Sequence, residues 1–135
     1  MFTHQTKIRV RYAETDKMGY VYYGNYATYF EVARVEALRS LGINYKEMED
    51  KGVMLPVLSY STNFLKPAYY DEELTIKLFI KELPQARIHF YFETYNESEV
   101  KINIAEVVLV FVDMEKNKPC SAPKELISQL KSFGL

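Results

Sequence analysis

Between Asn25 and Leu41 an apolar residue recurs at every third or fourth position: Tyr26, Tyr29 and Phe30, Ala33, Ala37, Leu41. That period belongs to one face of an α-helix. Val32, Val35 and Leu38 widen the face well beyond the stripe of a surface helix. A helix starting at Gly24 or Asn25 and running to Leu41 therefore has to be largely covered by the rest of the chain. Gly42 supplies a C-terminal stop. Asn44, with Glu47 three residues later, opens a second, shorter helix that Gly52 ends.

The flanking sequence has strand period. Thr6–Tyr12 alternates, with Ile8, Val10 and Tyr12 on one face and Lys7, Arg9 and Arg11 on the other. Met54–Leu65 reads as one long extended segment with an irregular start at Pro56. Glu73–Glu82 places Leu74, Ile76, Leu78 and Ile80 on one face, and Arg87–Tyr95 does the same with Ile88, Phe90 and Phe92. Lys101–Asp113 contains VVLVFV, apolar on both faces as in a strand covered on two sides. This suggests that the far sheet face or its edge is covered by another subunit. Asp113–Pro123 is polar and holds two prolines, and Pro123–Phe133 fits a closing amphipathic helix. One long apolar helix and five mostly antiparallel strands make an α+β plan, the sheet wrapped around the helix.

At 135 residues, with no repeat or linker, the chain is expected to form one domain over 1–135. A net charge of −1 gives no footing for nucleic acid or an anionic membrane. No apolar run approaches the ~20 residues of a membrane span, and the N-terminus has no signal-peptide core. A single cysteine forbids an internal disulfide. Together these point to a cytoplasmic protein. His4, His89 and Cys120 are too scattered for metal-ligand spacing, so no metal is expected. Twelve tyrosines and no tryptophan suit half-buried surfaces such as an interface or a ligand groove.

The chemistry concentrates just ahead of the long helix. The turn Ala13–Gly19 carries Glu14 and Asp16, and the short extended run Tyr20–Tyr23 leads into Gly24. Unpaired amides at a helix start stabilise an anion, and a nearby carboxylate can attack or deprotonate what they hold. On residue type alone, Asp16 reads first as a turn former binding local amides. Glu14 is expected to be a solvated turn acid. Glu31 is expected to pair with Arg34 at i,i+3. Gly19 and Gly24 are read as glycines that let chain and ligand approach closely.

The stretch YAETDKMGYVYYGNYATYFEVAR resembles the hot-dog-fold acyl-CoA thioesterases, in particular the 4-hydroxybenzoyl-CoA thioesterase-like group. Tyr12, Thr15, Asp16, Gly19, Val21, Tyr22, Tyr23 and Tyr26 fall in register with that signature. FLKPAYYDEEL, Phe64–Leu74, resembles the same family's proline-containing turn before its third strand. The resemblance implies an acyl-CoA thioester hydrolase without metal or organic cofactor, with Asp16 as nucleophile or general base. It implies an oxyanion hole at the backbone N–H of Tyr23 or close to it. Much of the bacterial branch has His at the position of Tyr23, whereas the 4-hydroxybenzoyl-CoA type has Tyr, so a His-assisted mechanism is not expected. A different hot-dog branch uses a helix carboxylate near the place of Glu31, which makes Glu31 the secondary catalytic candidate. Tyr22, Gly24 and Tyr26 are candidates to line the acyl pocket, and Asn63 and Arg87 to reach that pocket or the CoA phosphates. A homodimer or homotetramer with the active site at the subunit interface is implied. The alternatives are an acyl-ACP thioesterase, or a module that binds acyl-CoA without turnover. A hydratase would need a well-placed His, and neither His4 nor His89 lies in the right segment.

Overall fold

The computed structural model describes residues 1–135. The elements follow in the order β1 (Phe2–Arg9), α1 (Asn25–Ser40), α2 (Tyr45–Asp50), β2 (Val53–Met54), β3 (Val57–Phe64), β4 (Glu73–Ile80), β5 (Arg87–Tyr95), β6 (Lys101–Val110), β7 (Val112–Asp113), β8 (Lys118–Pro119) and α3 (Lys124–Lys131). Five strands form one sheet in the order β1-β4-β5-β6-β3, and every pairing in it is antiparallel. The α+β plan therefore stands, with β1 and β3 as the two edges.

The inner sheet face is built by the period-two residues of the central strands. Leu74, Ile76, Leu78 and Ile80 of β4 are fully buried, as are Ile88 and Phe90 of β5. The helix lays Tyr26, Tyr29, Phe30, Ala33, Ala37 and Leu38 against them. Phe30 stacks on Phe92 of β5 with ring centroids 4.7 Å apart, and removing such a ring from a closed core costs about 3–5 kcal/mol. Val32 is 41% exposed and Val35 half-buried. The apolar face of α1 is thus wider than one chain covers.

Three segments depart from the sequence reading. The first strand begins at Phe2, opposite Ile80, and ends at Arg9, opposite Glu73. Its inward positions Phe2, His4 and Thr6 include polar side chains, which masks the period. Tyr12 does not share its inner face. It opens a 3-10 turn over Tyr12–Glu14 and is 77% exposed. Met54–Leu65 is not one strand: Val53–Met54 and Val57–Phe64 join different sheets on either side of Leu55–Pro56. The same break divides the last long segment, where β6 ends at Val110 and β7 pairs with β2 and β8 in a second, three-stranded sheet. β6 lies between β5 and β3 and is not an edge. Asn44 caps α2 as expected, its Oδ1 accepting the Glu47 N–H at 3.1 Å.

Edge strand β3 is unusual in its exposure. Val57, Leu58, Tyr60 and Phe64 are each 40% exposed or more. An open, apolar strand edge is a template for pairing with another chain.

Candidate active site

The turn before α1 is folded by the Asp16 side chain. Its Oδ1 accepts the backbone N–H of Met18 at 2.9 Å and of Tyr20 at 3.2 Å. Its own N–H donates to the Tyr20 carbonyl at 2.8 Å, and its carbonyl accepts the Gly19 N–H at 3.0 Å. Gly19 closes the turn at φ +84°, a left-handed conformation that glycine adopts without Cβ strain. The turn-forming and chemical readings of Asp16 are therefore compatible. Oδ1 builds the turn, while Oδ2 accepts no hydrogen bond within the chain.

The chain following β3 holds the other side of the turn. Val21 donates its N–H to the Ala68 carbonyl at 2.8 Å, and Tyr20 bridges Tyr69. The two sequence stretches that resembled one family are thus in contact. Between them lies a cavity of about 310 Å³ lined by Asp16, Met18, Tyr23, Tyr26, Phe64 and Lys66 among others. Its walls are mostly apolar, with the carboxylate as the acid among them. Tyr26 is 2% exposed and packs edge-on against Phe64 at 5.4 Å. Burial first, then the Glu72 carboxylate and Tyr60, push its phenol up to about 12. Tyr26 is therefore a neutral hydroxyl at any physiological pH, able to donate a hydrogen bond but not to serve as a base.

The helix start supplies unpaired donors. The N–H groups of Tyr22, Asn25 and Tyr26 are taken by the carbonyls of Glu14, Tyr22 and Tyr23. Those of Tyr23 and Gly24 donate to no acceptor in the chain. They sit at the positive end of the α1 dipole, and Tyr23 lines the same cavity as Asp16.

Not every candidate joins this cavity. Tyr22 is 47% exposed, stacks on Tyr23 at 4.5 Å and is not a lining residue. Gly24 has an ordinary helical φ of −65°, and a Cβ there would lie 3.1 Å from the Tyr22 ring. The close approach it allows is that of the Tyr22 ring. Asn63 alternates with the inward Thr62 and Phe64 and pairs with Ile104. It lines a separate cavity on the outer sheet face with Lys81, Tyr91 and Glu106. Arg87 is exposed on that same outer face at the start of β5. Glu31 lines a third cavity, between α1 and β3, with Arg34, Tyr60 and Val57. Within one chain, then, Asp16, Tyr23 and Tyr26 line one cavity, Gly24 adds only a free backbone N–H next to that of Tyr23, and Tyr22, Asn63, Arg87 and Glu31 do not join them. His89 stacks on Tyr91 at 4.1 Å on the outer face and does not line the Asp16 cavity.

Two features escaped the sequence reading. Phe64 and Lys66 line the cavity, and both lie in the FLKPAYYDEEL stretch, whose likeness to a known turn was the available signal. Glu14 is not a solvated acid. It is 8% exposed, and its carboxylate binds Arg11 and the Tyr29 hydroxyl. Burial by itself raises its pKa, but bonds from the Arg11 backbone and guanidinium and from Tyr29 outweigh this and hold it below its ordinary value.

A long helix cradled by a five-stranded antiparallel sheet is the hot-dog fold. A family model described as the thioesterase-like superfamily matches residues 10–130. The chain belongs to that superfamily and is a thioester hydrolase. The DHNA-CoA thioesterase of Staphylococcus aureus superposes with a TM-score of 0.91 at 32% identity, covering 99% of this chain and 94% of that one. The acyl-CoA thioester hydrolase YbgC of Escherichia coli O157:H7 is 31% identical over 124 residues, 92% of each chain. YneP of Bacillus subtilis is 34% identical over 122 residues, 88% of this chain and 86% of its own. No helix is long and apolar enough to cross a membrane.

Proposed function

We propose that the chain hydrolyses an acyl-CoA to the free acid and CoA, with Asp16 as the catalytic carboxylate and the Tyr23 and Gly24 amides as the oxyanion hole. The observation that carries this reading is the pairing of a free carboxylate oxygen with unpartnered amides at the helix start, Asp16 and Tyr23 lining one apolar cavity. In the reaction, Asp16 either attacks the thioester carbonyl carbon or takes a proton from a water that does. The carbonyl oxygen gains negative charge, and preorganised N–H groups stabilise it without reorganisation; losing one such donor costs about 10²–10³ in rate. Collapse of the tetrahedral species breaks the C–S bond, and CoA leaves as the thiolate. If Asp16 attacks, water then cleaves the resulting anhydride and restores the carboxylate.

The aromatic lining favours an apolar acyl group. The similarity to YbgC and to the DHNA-CoA thioesterase supports CoA as carrier. The exposed apolar edge of β3 and the uncovered Val32 face support a homodimer, or a tetramer built from it. Asn63, Arg87 and Glu31 of one chain would then reach the site of the other only across that interface.

Thiol release from acetyl-, palmitoyl- and benzoyl-CoA, each with its acyl-ACP counterpart, tests the reading. Turnover of at least one CoA thioester is the expected result. Binding without turnover would replace the enzyme by a binding module, and turnover of acyl-ACP alone would replace the carrier.

A further inference from the structure

Glu14 is the only charged residue the fold buries, and the proposed reaction gives it no task. Its carboxylate accepts four hydrogen bonds. Oε1 takes the Arg11 backbone N–H at 2.9 Å and the Tyr29 hydroxyl at 2.8 Å. Oε2 takes the Arg11 guanidinium at 3.1 and 2.9 Å. Its backbone carbonyl accepts two more, from the Tyr22 N–H at 2.9 Å and the Asn25 side-chain amide at 2.8 Å.

These bonds reach both halves of the site. Asp16 lies two residues beyond Glu14. Tyr22 precedes Tyr23, whose amide is free, and Asn25 and Tyr29 belong to the first turns of α1. A turn fastened by packing alone would need an apolar side chain here, since burying a carboxylate is costly unless it is fully bonded. A fully bonded carboxylate instead fixes direction as well as distance.

We infer that Glu14 is a positioning residue for the hydrolysis: it clamps the Asp16 turn onto the start of α1, so that the Asp16 carboxylate and the Tyr23 and Gly24 amides keep one separation. The inference rests on the role proposed for Asp16. Arg11 and Tyr29 hold the clamp ionised over the working pH range, since their bonds lower the Glu14 pKa. Because Glu14 touches neither the cavity nor the reacting atoms, its loss should act on the chemical step and not on substrate binding.

The test is thiol release from the CoA thioester that turns over fastest, measured on Glu14→Gln, Tyr29→Phe, Asp16→Asn and the Glu14→Gln/Asp16→Asn double variant. Glu14→Gln keeps the shape of the side chain but turns an amide NH₂ toward Arg11. It is expected to lower kcat about ten- to a hundredfold with KM within about twofold, as a misplacement of about 1 Å would. Tyr29→Phe keeps the ring, so it folds even where Glu14→Gln does not; a kcat loss of about three- to tenfold is expected. In the Asp16→Asn background, Glu14→Gln should cost less than about threefold more, since a clamp has nothing left to position. Wild-type kcat in both single variants, a change confined to KM, or losses that multiply in the double variant would overturn the inference. Asp16→Asn at the wild-type rate would overturn the Asp16 reading instead, a result distinct from active Glu14 variants beside an inactive Asp16→Asn.

Discussion

Replacing Tyr29 by Phe removes one hydroxyl and nothing else from a closed environment. The residue is 2% exposed, and its hydroxyl donates to Glu14 Oε1 at 2.8 Å. A hydrogen bond to a charged group contributes about 1.5–3 kcal/mol. Oε1 keeps the Arg11 N–H after the change, so the lower part of that range applies, about 1.5–2 kcal/mol. The sign of its pH dependence follows from Glu14. The folded-state pKa is depressed below 4.5, so the stabilisation is fully present above that value and is lost as pH falls through the folded value. Urea unfolding followed by circular dichroism, at one protein concentration so that assembly does not enter, should show Tyr29→Phe less stable by about 1.5–2 kcal/mol at pH 7. The gap between variant and wild type should narrow progressively below pH 4.5. A gap that stays constant down to pH 3, or is absent at pH 7, would refute a hydroxyl bonded to an ionised Glu14.

Phe30→Ala deletes a fully buried ring stacked on Phe92 and should cost about 3–5 kcal/mol in the same unfolding assay. Gly19→Ala forces a Cβ into a φ of +84°; it should destabilise by about 1 kcal/mol or more and, by loosening the Asp16 turn, lower kcat more than it raises KM. Leu58→Glu places a charge on the exposed β3 edge, where Leu58 is 51% exposed. Light scattering should show the variant shifted to monomer, with thiol release reduced in step; a wild type already monomeric and active would contradict an interface site.

The parts of this molecule that were legible in the sequence are those governed by local period. Leu74 to Ile80 and Ile88 to Phe92 alternate because one sheet face is buried, and their strands fall within two residues of the reading. β1 was misplaced by four residues at its start and three at its end because its inward side includes His4 and Thr6, which carry no hydrophobic signal. The three-stranded second sheet uses two-residue strands, too short for any period to show. In the site, Asp16, Tyr23 and Tyr26 were readable because turn and helix start are contiguous in the chain. The burial of Glu14 depends on Tyr29, fifteen residues away, and only the folded helix brings the two together. Asn63 was legible in principle, since Tyr60, Thr62 and Phe64 form the inner face and place it opposite, away from Asp16.

The central claim is that Asp16, and not the helix carboxylate Glu31, carries the chemistry. The decisive measurement is kcat for thiol release by wild type, Asp16→Asn and Glu31→Gln on the same CoA thioester. The account predicts a loss of at least about a hundredfold for Asp16→Asn and a rate within about threefold of wild type for Glu31→Gln, which lines a different cavity beside Arg34. Retained activity in Asp16→Asn with loss in Glu31→Gln would contradict it and move the reaction to the groove between α1 and β3.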